Sequence, residues 1–243
     1  MEIRIFDNYE ELSQRTADEV INLVKEKPDA VVCLASGNTP LGTCEWLVKK
    51  VKDEKINISK CNFIGLDEWA DVPKENSGSC SYFFHHNLFE PLKISHEKIF
   101  LFDALSKDLN EECKKMDNII AEKNGIDLMI VGIGMNGHIG FNEPGVNFNL
   151  LSHVIDLHET TITVGQKYFA GTIQLSKGIT LGLQHLMNSR KVILIANGKS
   201  KSEVIKQTVK EPVTNSFPAS IMQKHPNGFV FVDKDAAELI SNK

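Results

Sequence analysis

The apolar positions of this chain fall into short continuous runs, separated by stretches with helical spacing. Residues 30–34, 62–66, 126–131 and 192–196 are dominated by apolar side chains. Runs of that length, bounded by Gly, Asn or Pro, predict strands buried on both faces, as in a parallel sheet. Ala17, Val20, Ile21 and Val24 recur at i, i+3, i+4 and i+7, which predicts a helix before the Lys27-Pro28-Asp29 break. Asn8 is its expected N-cap, with Glu11 three residues on as the capping-box partner. Further helices are expected around Trp46, Leu47 and Val51, and over 83–88, 110–123, 159–169, 185–188, 202–209 and 235–240, with a helical or turn segment at 219–224. Shorter strands are expected at 2–6, 98–102, 153–157 and 228–232. Strands alternating with helices predict an α/β fold: a three-layer α/β/α sandwich around a mostly parallel, Rossmann-like sheet, with one domain over residues 1–243.

Composition narrows the partners. The 243 residues carry a formal net charge of -5 and contain no Lys/Arg cluster, so nucleic acid is not an expected partner. No apolar run approaches the roughly 18–20 residues of a membrane span, so neither is a membrane. Cys33, Cys44, Cys61, Cys80 and Cys113 make an odd count without a Cys-x-x-Cys pair. That pattern predicts reduced thiols in a cytoplasmic protein rather than a disulfide framework or a zinc site. The first twelve residues lack the apolar core of a secretory signal, which agrees with that location.

Three segments at predicted strand ends carry candidate chemistry. Residues 132–145 hold five glycines in fourteen positions, too many for a regular helix and suited to a tight loop near a ligand. Set into that loop are His138, Glu143 and the amides Asn136 and Asn142. Ser36-Gly37-Asn38-Thr39 follows the strand at 30–34 and precedes a helix, an arrangement whose free N–H groups and helix dipole hold anions. It is neither a Walker loop nor a GxGxxG fingerprint, and on this segment alone an ordinary capped helix start reads equally well. Asp67 and Glu68 end the strand at 62–66, where one carboxylate would point into the crevice at the carboxyl edge of the sheet. Residues 71–81 form a loop that could cover that crevice. Lys201, after the strand at 192–196, could close on a phosphate. His85 and His86 are adjacent and cannot share a helix face, so a metal pair is not expected there.

In this order and spacing the segments resemble the glucosamine-6-phosphate deaminase/isomerase family, which also contains galactosamine-6-phosphate isomerases and, more distantly, 6-phosphogluconolactonases. The most specific match is Asn136-Gly137-His138-Ile139-Gly140-Phe141-Asn142-Glu143-Pro144, supported by Leu66-Asp67-Glu68 and by the Ser36–Pro40 turn. It extends from Lys27 to Ser220. The resemblance implies an aldose–ketose isomerisation coupled to loss of ammonia from an amino sugar 6-phosphate, without a cofactor, in a monomer or small homo-oligomer. It also implies roles. Asp67 would move the C2 proton, His138 would open the sugar ring, and Glu143 with Asn136 would orient the imidazole. Ser36, Gly37, Asn38, Thr39, Lys167 and Lys201 would hold the phosphate.

Several positions depart from the family pattern. Asn136 stands where many members have Asp, and Lys167 where an arginine is frequent. His153 and Ile155 occupy positions where hexameric deaminases bind an allosteric sugar phosphate with basic residues, so no such activation is expected. Trp69, Gly78-Ser79-Cys80 and residues 178–183 lean toward the galactosamine branch, with tagatose 6-phosphate as product. Glucosamine 6-phosphate, giving fructose 6-phosphate, is the alternative. A lactonase would usually lack Glu143. A non-catalytic sugar-phosphate sensor would normally carry a DNA-binding segment, and the joint retention of Asp67, His138 and Glu143 favours chemistry.

Overall fold

The apolar runs become the inner strands of a parallel sheet. The computed structural model describes residues 1–241. In chain order its elements are β1 (Glu2–Phe6), α1 (Tyr9–Glu26), β2 (Val31–Leu34), α2 (Asn38–Asp53), β3 (Asn62–Gly65), β4 (Asp67–Trp69), α3 (Cys80–Phe84), α4 (Glu90–Leu92), β5 (Ile99–Phe100), α5 (Leu109–Glu122) and β6 (Leu128–Val131). They continue with β7 (His153–Asp156), α6 (Glu159–Gly165), β8 (Lys177–Thr180), α7 (Leu183–Asn188), β9 (Val192–Ala196), α8 (Ser202–Lys210), β10 (Gly228–Asp233) and α9 (Glu238–Ser241).

Seven strands form the main sheet in the order β1-β10-β9-β6-β2-β3-β5, and every pairing in it is parallel. Every residue of β2, β3, β6 and β9 is buried, as continuous apolar runs require. Successive side chains serve opposite layers. Val31, Cys33, Met129, Val131, Val192 and Leu194 face a core shared with α5 and α8, through Met116, Ile120, Val204 and Ile205. Val32, Leu34, Leu128, Ile130, Ile193 and Ile195 face a second core with α1 and α2, through Leu12, Val20 and Leu47. The result is the expected three-layer sandwich. Phe63 sits at the centre of the second core with 1% exposure, and truncation to Ala there would cost about 3–5 kcal/mol.

Topology fixes where a ligand can enter. From β2 the chain runs outward through β3 to β5, then returns to the other side of β2 with β6. The order therefore reverses between β2 and β6, and the carboxyl ends of those strands diverge around a crevice.

The local expectations hold with instructive shifts. Asn8 caps α1 by accepting the Glu11 N–H at 2.9 Å, but the Glu11 carboxylate accepts the N–H of Asp7 rather than that of Asn8. The turn that begins at Ser36 is helical already from Asn38, because Gly37 takes φ +115° and starts α2 ahead of the stretch around Trp46, Leu47 and Val51. The strand expected at 98–102 shrinks to two residues at the sheet edge, where only β3 pairs with it. The helix expected at 159–169 ends at Gly165 and tightens into a 3₁₀ turn, Gln166–Tyr168. A second sheet has no counterpart in the sequence reading: β4, β8 and β7 pair antiparallel over the carboxyl edge of the main sheet. No described helix is long and apolar enough to cross a membrane.

Candidate active site

A cavity of about 500 Å³ opens at the reversal point, between the ends of β2, β6 and β9 and beneath β4 and α6. Asp67 is the one carboxylate among the described residues that line it, and His138, Lys167 and Lys201 supply its imidazole and ammonium groups.

One end of the cavity is built for an anion. Gly37 turns the chain from β2 into α2 at a positive φ that favours glycine, and no side chain caps the helix. The first-turn N–H groups of this 16-residue helix and its dipole face the cavity wall formed by Ser36, Gly37, Asn38 and Thr39. Thr39 donates its hydroxyl hydrogen to Asn197 Oδ1, tying the start of α2 to the end of β9. Lys201, in the short turn after β9, donates to the Ile133 carbonyl at 2.6 Å. Burial first, and then the nearby charge of Lys167, bring its pKa down to about 8. Two ammonium groups brought this close mark a place that favours an anion. Tyr168 closes the cradle from above, and a Cβ at Gly37 would lie only 3.3 Å from its hydroxyl.

Asp67 lines the same cavity, one thiol away from Ser36. It begins β4, so alternation sends its carboxyl into the cavity and that of Glu68 into the protein. Glu68 is buried and accepts the N–H groups of Trp69, Cys80 and Ser81 at 2.7–2.9 Å, fastening the start of α3. The two adjacent acids are thus a cavity group and a structural clamp. Burial, and next the negative charge of Glu68, push the Asp67 pKa up to about 7. The Cys80 thiol donates to its Oδ1 across 3.7 Å and accepts from Ser36 Oγ at 3.0 Å.

His138 projects from the glycine-rich loop into the same cavity. Its ring lies over Gly134, where a Cβ would fall 2.2 Å from ring carbon Cε1, so glycine is required for that approach. Asn136 and Glu143 do not line the cavity; they sit behind the imidazole. Glu143 Oε2 lies 3.5 Å from His138 Nδ1 and accepts from Asn136 Nδ2 at 2.9 Å, while Oε1 accepts from the His158 N–H at 3.3 Å. Asn136 Oδ1 in turn accepts the His138 N–H at 3.2 Å. Burial works to raise the Glu143 pKa, but the nearness and charge of the His138 ring, with Thr161 and Asn136, bring it down to about 2.

All ten residues singled out in the sequence therefore gather here: eight on the cavity wall, Asn136 and Glu143 behind it. The loop 71–81 contributes its end, Ser77 to Cys80, to the wall. His85 and His86 stay away from it, His85 edge-on to Phe89 and His86 stacked on Tyr82. Sequence reasoning missed Thr161, whose hydroxyl lies 3.1 Å from His138 Nδ1, and the roles of Cys80 and Tyr168. Thr161 fell inside the helix expected at 159–169, and nothing in its spacing sets it apart.

The sequence profile of a family described as glucosamine-6-phosphate isomerases/6-phosphogluconolactonase matches residues 7–231. The chain belongs to that family. Among members, the glucosamine-6-phosphate deaminase of Thermoanaerobacter pseudethanolicus is 39% identical over 244 aligned positions, covering 100% of this chain and 96% of the relative. That of Clostridium botulinum strain Langeland is 36% identical, covering 100% of both chains. The solved structure of a monomeric glucosamine-6-phosphate deaminase superposes with a TM-score of 0.95 at 32% identity, over 98% of this chain and 100% of that one. A 6-phosphogluconolactonase from Trypanosoma brucei superposes with a TM-score of 0.80 at 18% identity, over 98% and 97%, which is a likeness of fold alone. The family's sandwich thus brings the strand-end segments of this chain to one cavity.

Proposed function

We propose that the whole chain acts as one catalytic domain, a cofactor-independent glucosamine-6-phosphate deaminase that yields fructose 6-phosphate and ammonia. The observation that carries this reading is the pairing of a carboxyl group poised near pH 7 with an imidazole backed by a carboxylate, in one cavity with an anion cradle. Ser36, Gly37, Asn38, Thr39, Lys167 and Lys201 hold the 6-phosphate. His138 takes the O1 proton and returns it to the ring oxygen, opening the pyranose. Asp67, ionised, removes the C2 proton from the open-chain aldehyde and returns it to C1, while a proton of the C2 ammonium group passes to O1. The resulting imine at C2 adds water and releases ammonia. Glu143 and Asn136 are positioning residues, since they reach the cavity only through His138. Glu143 also supports a deaminase over a lactonase.

The sequence leaned toward galactosamine 6-phosphate; the relatives favour glucosamine, and we adopt that reading. The monomeric solved relative supports action as a monomer. Five free, buried cysteines suit the reducing cytoplasm. Incubation with each amino sugar 6-phosphate separately, with assay of ammonia and ketose phosphate, tests the assignment. Release from glucosamine 6-phosphate is expected; release from the galactosamine epimer alone restores the other substrate, and release from neither sinks the deaminase reading.

A further inference from the structure

The link between His138 and Glu143 is longer than a direct hydrogen bond. Nδ1 and Oε2 stand 3.5 Å apart, beyond the 2.7–3.2 Å usual for N–H···O. Thr161 Oγ1 is closer to the imidazole, at 3.1 Å. It is 4% exposed, so water does not compete freely for it. A hydroxyl both accepts and donates, so it can take the Nδ1 hydrogen and give its own to a carboxylate. Glu143 is a pure acceptor with two donors already on it, Asn136 Nδ2 and the His158 N–H, and the Thr161 hydroxyl is among the groups that hold its carboxyl low.

Thr161 does not belong to the glycine-rich loop. It arrives on α6, which is seated by the residue that precedes it: the His158 N–H reaches Glu143 Oε1, and the His158 ring accepts the Thr160 N–H at 3.1 Å as the helix cap. The same helix packs its Gly165 so tightly on Trp69 that a Cβ there would lie 2.6 Å from the indole. The turn that follows, Gln166–Tyr168, delivers Lys167 and Tyr168 to the anion cradle. One short segment therefore touches the imidazole at its start and the phosphate end of the cavity at its finish.

We infer that Thr161 is a positioning residue for His138: its hydroxyl bridges the imidazole to Glu143, on the same segment that brings Lys167 and Tyr168 to the anion. The inference deepens the proposed deaminase reading and rests on it for its kinetic consequences. With Nδ1–H given to Thr161, Nε2 carries the lone pair that ring opening needs. Phosphate capture at the far end of the segment holds Thr161 in place at the near end.

Thr161→Val removes the hydroxyl at nearly constant volume, and kcat should fall by about 10- to 100-fold, the lower reach of acid–base contributions, with KM within about twofold. Thr161→Ser should restore most of the loss, which a packing role would not predict. Independently of any substrate, ¹⁵N NMR of the neutral His138 ring should show the Nδ1–H tautomer dominant in the wild type and diminished in the Val variant. Inorganic phosphate should slow exchange of that proton with water in the wild type. Thermal unfolding monitors folding, and Thr161→Ala replaces the Val variant if the branched side chain disturbs it. Wild-type kcat together with an unchanged tautomer in the hydroxyl-free variant overturns the bridge; proton exchange indifferent to phosphate overturns its tie to the cradle. If the wild type releases ammonia from neither sugar, the deaminase reading fails while the NMR arms still decide the role of Thr161.

Discussion

Asp67 and Glu143 are two largely enclosed carboxyl groups, one in the cavity wall and one behind its imidazole, and their surroundings drive them in opposite directions. Asp67 is faced by acids and weak donors: Glu68 on its own strand, the thiols of Cys33 and Cys80, and the Tyr168 phenol. Its pKa rises to about 7. Glu143 is faced by an amide, a backbone N–H and an imidazole, and its pKa falls to about 2. Burial is common to both, so the difference lies in the neighbouring charges and the hydrogen-bond donors. A carboxyl poised near neutrality can take and return a proton. One that stays charged can only orient and stabilise its neighbour.

The sharpest way to break the contrast is Asp67→Asn. It should lower kcat by about 10³-fold or more and abolish exchange of the C2 proton with solvent, while sugar-phosphate binding persists; exchange that survives names another base. The same variant should unfold at a higher temperature than wild type at pH 8. The sign follows from linkage: folding raises the Asp67 pKa, so its charge costs stability in full above about pH 7, and that cost shrinks steadily from there down to the ordinary carboxylate value, where it is gone. Glu143→Gln should lower kcat by about 10²-fold and move stability the other way. Its native pKa is depressed, so its contribution is present above the ordinary range and lost as pH falls through about 2. Melting curves of the two variants across pH should thus diverge at neutrality in opposite senses.

Smaller effects refine the picture. Cys80→Ala removes a donor to Asp67 and should move the acid limb of kcat/KM, expected near pH 7 in the wild type, to higher pH; a limb that stays put assigns Cys80 to packing alone. Lys167→Arg restores a bidentate fork where the family often has one and should lower KM for the sugar phosphate by about two- to fivefold. An unchanged KM would place Lys201 and the start of α2 in sole charge of the phosphate.

Much of this was legible in the sequence because it rests on local pattern. The buried strands β2, β6 and β9 are unbroken apolar runs, and a double-faced burial leaves no other arrangement of their side chains. Asp67, His138 and the Ser36–Thr39 turn could be found because parallel topology sends strand ends to one edge. What was not legible depends on long-range placement. A three-residue strand such as β4 has no period to read, so the antiparallel sheet over the cavity was invisible. Asn136 and Glu143 were expected to orient His138, but that they do so from behind it, off the cavity wall, is visible only in the fold. Thr161 lies 23 positions from the imidazole it touches. The choice between two sugar epimers rests on a few hydrogen bonds that no spacing encodes.

Trp69 packs its indole against Phe141 at 4.6 Å and Phe169 at 6.0 Å between ring centroids, and beneath Gly165 of α6. One other tryptophan, Trp46, lies on α2, away from the cavity. The enclosed indole is therefore a built-in optical gauge. In a Trp46→Phe chain, any lifting of α6 wets the remaining indole and shifts its emission to the red, so stopped-flow fluorescence can time the opening and closing of the site without an attached dye.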